Sequence, residues 1–209
     1  INTHYHEDHT HGNPGFPPGT RVISTTRTLD HLRKIDEDYW TEGAEELLPN
    51  ETFRDVKVIR LGDKTISMIH PGRGHTDGDL IVHFAEDKTI HAGDLYFNRY
   101  YPNIDLEAGG SVQRWSATID QVLKLPFEYV IPGHGELSDA AGMRRFQTLI
   151  DQLVEVGNTA VGTSAGVTET IDVAKLTADE DYREIYVPFV VRIDRAFVLR
   201  RTWEEFTGN

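Results

Sequence analysis

The chain has 209 residues, 38% hydrophobic and 10% aromatic, enough to bury the core of one domain of ordinary size. Its 34 acidic against 21 basic residues give a formal charge of −13, which argues against a nucleic-acid groove or an anionic membrane surface as partner, since both reward clustered Lys and Arg. Cysteine is absent, which excludes a disulfide framework and thiolate metal ligands, and no apolar run approaches a membrane span.

The first informative stretch is His4-Tyr5-His6-Glu7-Asp8-His9. Three histidines and a carboxylate within six residues do not share one face of a helix or strand, so the segment reads as a loop wrapped round a metal. Neutral imidazole suits zinc, iron or copper, and a carboxylate beside it suits hydrolytic work; a solvated His-rich loop is the alternative at this point. Asn13-Pro14-Gly15-Phe16-Pro17-Pro18-Gly19 is too rich in Pro and Gly for regular structure. A short strand at 21–24 precedes a helix at 28–35 with Leu29, Leu32 and Ile35 on one face, capped from Ser24 to Thr26. In the acidic stretch 36–50, Tyr39 and Trp40 form either a lid over a pocket or satellite packing.

Strands at 56–61 and 64–69 flank Gly62-Asp63, a hairpin signal, and the second delivers a Gly-rich loop, 70–79, whose glycines let the backbone bend around His75. Strands at 80–84 and 89–91 follow, the latter running into Gly93-Asp94; His83 and His91 read as histidines packed in the sheet. Residues 111–125 form an amphipathic helix through Trp115, Ile119, Val122 and Leu123, capped by Ser111. A buried strand at 129–131 ends at Pro132-Gly133-His134, and Asp139 caps a helix to about residue 156. A Gly/Thr/Ser connector is expected at 157–166, then closing helices at 168–176 and 189–206. Strands alternating with helices, each ligand-bearing loop following a strand end, predict a layered α/β arrangement with the site at one edge of the sheets.

Four blocks then stand in order: His4 to His9, Gly74-His75-Thr76-Asp77-Gly78-Asp79, Ala92-Gly93-Asp94-Leu95-Tyr96-Phe97, and Ile131-Pro132-Gly133-His134-Gly135. Together they resemble the metal pattern of the metallo-β-lactamase-fold hydrolases, over residues 1 to about 150. Gly93 to Asn98, Tyr101-Pro102 and Ile104 to Ser111 resemble a periplasmic or secreted branch of that family. The resemblance implies an αββα sandwich over 1–209, with metal motifs at 4–134 and C-terminal helices at 139–209. It implies two zinc ions per chain, with iron or manganese able to take the same ligands. One is held by His4, His6 and His75, the other by Asp8, His9 and His134, with Asp94 bridging them. Asp8 and Asp94 are thereby the candidate catalytic carboxylates, and a hydroxide shared by the ions attacks a lactone, thioester or β-lactam. His11, Thr76 and Asp77 are candidate supports of the ligands. A non-haem iron redox enzyme and a catalytically silent metal-binding fragment are the alternatives. In the resembled family several strands and a helix precede the histidine block, so the natural polypeptide is expected to continue before Ile1, or those strands to come from a partner chain.

Overall fold

The computed structural model describes residues 1–41, 43–177, 181–187 and 191–209. Its centre is a five-stranded sheet in the order β3 (Val56–Leu61), β4 (Lys64–Ile69), β5 (Ile81–Phe84), β6 (Thr89–Phe97), β7 (Tyr129–His134). The first four are antiparallel, β3–β4 and β5–β6 joined by short turns and β4–β5 by the loop 70–80, and β7 lies parallel to β6 because the helix α3 (Val112–Val122) intervenes. Ser111 caps α3 by accepting from Arg114 N, as its residue type predicts.

One face of this sheet packs on α3, α4 (Ala140–Thr163) and α6 (Arg195–Thr207). Ile81, Ile90, Ala92 and Val130 from the strands meet Trp115, Ile119, Phe146, Leu149 and Leu199 from the helices in one continuous core. The other face carries Ile66, Met68 and Val82, which pack on Ile23 and Phe53 from a two-stranded parallel layer, β1 (Ile23–Thr25) and β2 (Glu51–Phe53). Between these two strands α2 (Thr26–Lys34) follows β1 directly, with the Thr25 hydroxyl accepting from Thr28 N. The mixed α/β class stands, and the second sheet of the expected sandwich is these two strands. Among the described residues no helix is long and apolar enough to cross a membrane.

Three expectations need correction. The segment 157–166 is not a connector: α4 runs through it to Thr163, and Gly157 sits inside the helix because a Cβ there would lie 2.3 Å from the Phe206 ring of α6. The closing helix starts at Arg195, not 189, because Asp194 accepts from Phe197 N and so fixes the N-terminus. Residues 191–193 instead form β9 (Val191–Ile193), antiparallel to β8 (Ile185–Val187), while 189 and 190 lie outside the described residues. Ahead of this pair, α5 (Val167–Val173) occupies most of the expected 168–176 helix. Finally, of the glycines flanking His75, only Gly72 takes a positive φ; Gly74 and Gly78 are required for closeness, since a Cβ would lie 2.6 Å from Leu95 and 2.8 Å from Thr28.

Candidate metal centre

The seven residues singled out as ligands come from four segments and converge at one end of the central sheet. Residues 1–3 are anchored between two layers, Asn2 N donating to Ile23 O and Leu80 N donating to Thr3 O, both at 2.9 Å. The chain after His6 forms a single helical turn, α1 (Glu7–Thr10), so Asp8 and His9 come from helix and not from loop. His75 lies in the connection between β4 and β5, Asp94 in β6, and His134 ends β7. At Gly93, φ is +51° and the β6–β7 register shifts, which turns Asp94 toward the histidines. Gly133 gives Asp94 its room: a Cβ there would lie 1.9 Å from Asp94 Oδ1.

The imidazoles are oriented by their outer nitrogens. His75 Nδ1 donates to Asn103 O at 2.9 Å, so its Nε2 presents a lone pair. His6 Nε2 donates to Asp105 Oδ2 at 3.0 Å, so its Nδ1 does the same. These two lone-pair nitrogens are 2.9 Å apart, and His6 Nδ1 is 3.1 Å from His4 Nε2. Acceptors facing each other at that distance repel, and a cation between them removes the repulsion. The Thr3 hydroxyl stands 3.2 Å from both His4 Nδ1 and His9 Nδ1, tying the two groups of ligands together.

Asp94 lies between the groups. Its Oδ2 is 3.9 Å from His4 Nε2, 3.7 Å from His75 Nε2 and 3.3 Å from His134 Nε2, and its Oδ1 is 3.1 Å from His9 Nε2. On the far side Asp8 Oδ2 is 3.3 Å from His9 Nε2 and 3.4 Å from His134 Nε2. His4, His6, His75 and Asp94 form one set that could hold a metal ion, and Asp8, His9 and His134 a second. Although Asp94 Oδ1 is buried, no donor meets it in hydrogen-bonding geometry, His9 included. A buried carboxylate oxygen left so is costly unless a cation completes it. The residues present therefore fit a metal.

Charge follows the same division. Burial pushes His4 well below the ordinary histidine range and His75 down to about 4, keeping both neutral as a ligand requires. Burial opposes ionisation of Asp94, yet the histidines around it outweigh that and hold the carboxyl well below its usual range. His9 and His134 also lose solvation, but Asp8 and Asp94 override that and raise them to about 9 and about 10. In the bare protein these two protons neutralise the carboxylates, and a bound cation would displace them.

The profile of the Metallo-beta-lactamase superfamily matches residues 1–134, which contain all seven. The chain belongs to that superfamily. It is beta-lactamase-like in fold. Among superfamily relatives, the type 2 metallo-beta-lactamase of Bacillus cereus is 28% identical over 142 residues, covering 66% of this chain and 52% of the relative. That of Elizabethkingia meningoseptica is 24% identical over 155 residues, covering 73% and 59%. The chain thus spans about half the length of the curated relatives it matches. Two solved metallo-beta-lactamases share the fold: DIM-1, at a TM-score of 0.59 and 24% identity, and one from Pontibacter korlensis, at 0.58 and 18%. Each alignment covers 72% of this chain and 67% of the other.

The expected supporting residues are not those the superfamily fold brings to the ligands here. His11 Nε2 lies 2.9 Å from Asp36 Oδ2 and its ring stacks on Tyr39; Thr76 donates to Asp79; Asp77 accepts from His31 at 2.7 Å. Tyr39 and Trp40 form no lid: Trp40 is buried with Tyr5 and Leu32. The support comes from Thr3, Asn103 and Asp105, which also accepts from Tyr5 Oη at 2.6 Å. Asp105 stands inside the Ile104 to Ser111 block, which was the available signal. His83 and His91 behave as sheet histidines, His83 Nε2 donating to Pro126 O and His91 Nδ1 accepting from Gly93 N.

A cleft of about 570 Å³ opens over the centre, lined by His6, Asp8, Asp94, Phe97, Asn103 and His134 among others. Another of about 580 Å³, where Arg27, Arg54 and Arg73 mix with Asp30, Asp55 and Asp77, contains none of the seven. Volume does not separate the two clefts, and ligand chemistry favours the first.

Proposed function

We propose that the chain is a binuclear zinc-dependent hydrolase of acyl bonds in a lactone, thioester or β-lactam. What supports this reading is one observation: His6 Nδ1 and His75 Nε2 face each other at 2.9 Å with their protons committed elsewhere, beside a buried Asp94 oxygen that lacks a donor. His4, His6 and His75 would hold one ion and Asp8, His9 and His134 the other, with Asp94 shared. Two zinc ions, when bound, supply Lewis acidity that acidifies a water for attack at neutral pH and polarises the acyl carbonyl.

The chain's own groups do the rest. Asp94 stays ionised between the two ligand sets, its Oδ1 beside His9 and its Oδ2 facing His4, His75 and His134. Asp8 is half exposed at the cleft and ionised, since burial is outweighed by His134 and His9; its carboxylate is placed to take a proton from the attacking water. Asp105 and Asn103 fix the ring orientations, so no reorganisation is needed during turnover. The small-molecule acyl substrate lies in the cleft, and a periplasmic or secreted site of action, resting on motif resemblance, is part of the same proposal and open to cell fractionation.

The test is elemental analysis of purified protein with parallel assays on a chromogenic cephalosporin, an acyl-homoserine lactone and a thioester. We expect about two zinc ions per chain and turnover of one substrate class, abolished by chelation and restored by zinc. Absence of metal with no activity regained on its addition would overturn the reading.

A further inference from the structure

The walls of the cleft over the seven converging residues differ in character. Ile35, Ile185, Tyr186 and Ile193 line it with apolar surface, and Ile35 and Tyr186 are 41% and 70% exposed, so this surface faces open space. Glu7 and Asp36 also line it, beyond the carboxylates of Asp8 and Asp94. Asp36 Oδ2 accepts from Trp40 Nε1 and pairs with His11, while exposed Glu7 has no ion pair among the described residues. No Lys or Arg is found among the described residues of the lining. Two arginines that flank Ile193 in sequence turn elsewhere, Arg192 to Glu184 and Asp194, and Arg195 to the carbonyls of Ile171 and Ala174.

Outside the metal centre itself, a carboxylate held by the lining of this cleft would lose hydration without gaining a guanidinium or ammonium partner, and would approach Glu7 and Asp36 at like charge. An alkyl arm would bury area against the isoleucines and Tyr186, and a cationic end would meet the two acids. We propose that the cleft selects acyl substrates with an apolar arm and a neutral or cationic far end, and discriminates against carboxylate-bearing ones. A cephalosporin, which bears a carboxylate on its nucleus, falls in the disfavoured class. The inference rests on the hydrolase reading only in placing the scissile carbonyl near Asp94.

The experiment uses three amides that share a six-carbon acyl arm and end in methyl, trimethylammonium or carboxylate, titrated calorimetrically into zinc-loaded protein. The methyl and trimethylammonium compounds should bind at least about tenfold tighter than the carboxylate. Glu7→Gln should narrow that gap and Glu7→Lys narrow it further, both at an exposed position where folding is not at stake. Equal or tighter binding of the carboxylate, or no binding by any of the three, would overturn the selection. The matching p-nitrophenyl esters are assayed in parallel: selective binding with no ester turnover refutes the hydrolase reading and sustains the selection. Turnover of the carboxylate ester at the same kcat/KM as the others overturns the selection and sustains the hydrolase.

Discussion

Asp105 concentrates two donors on one oxygen, Tyr5 Oη at 2.6 Å and His6 Nε2 at 3.0 Å, and burial is overcome so that its carboxyl lies below the ordinary range. Without it, His6 is free to turn its Nδ1 away from His4 and His75. Asp105→Ala is therefore expected to weaken zinc affinity about 10- to 100-fold in competition with a chromogenic chelator. An unchanged affinity would leave Asp105 a packing residue. Asp77 offers a prediction in pH. Burial would raise its carboxyl, but His31 and Arg27 outweigh that and hold it below its ordinary 3.8. A carboxyl depressed in the folded state contributes stability that is present above 3.8 and lost as pH falls through the folded value. Metal-free wild type should thus lose more stability than Asp77→Asn between about pH 5 and about pH 2, read from urea midpoints. Parallel losses would show that the His31 contact adds nothing to folding.

Helix α4 contains the sharpest disagreement between local preference and packing. Glycine inside a helix costs about 1 kcal/mol relative to alanine, and the Gly157 to Gly166 stretch accordingly reads as a break. The helix continues because its face meets α6 so closely that Phe206 fills the space a side chain at 157 would need. Gly157→Ala, which ordinarily stabilises a helix, should here destabilise by about 1–3 kcal/mol. Combining it with Phe206→Ala should cost less than the sum of the two single changes, because the clash is then absent. Additive effects by chemical denaturation would separate the two positions. Hairpins fared better: β3 and β4 occupy 56–61 and 64–69 as their alternation and Gly62-Asp63 predict, since a two-residue turn needs only local information. The boundary at Asp194 was legible in principle, an Asp three residues before Phe197, but the apolar periodicity running through 189–206 masked it.

For the whole molecule, the residues that could hold a cation are drawn from 4 to 134, so cation binding at this centre would be linked to folding. With zinc about 1,000-fold above its Kd the folded state gains about 4 kcal/mol, which for a chain of this size is a rise in Tm on the order of 10 °C. Scanning fluorimetry before and after dipicolinate treatment measures it, and an unchanged Tm in protein shown to be metal-free would deny the linkage. Superfamily, class of fold and the set of converging side chains were all legible in the order of residues alone. Histidine and carboxylate blocks at strand ends carry chemistry that few other arrangements use, and each block is local. Packing decided which residues stand behind the candidate ligands, and the Ile104 to Ser111 block that contains Asp105 was the one earlier signal of them. Tyr5 and Asp105 are a hundred positions apart, and His11, adjacent to the ligands in sequence, turns to Asp36 instead. Sequence neighbours of a ligand share its backbone, but its outer nitrogen reaches about 3 Å into whatever element the fold packs there; for His6 and His75 that is the segment of Asn103 and Asp105, held against the His75 loop by Asp105 N donating to His75 O at 3.1 Å and by the close approach at Gly110.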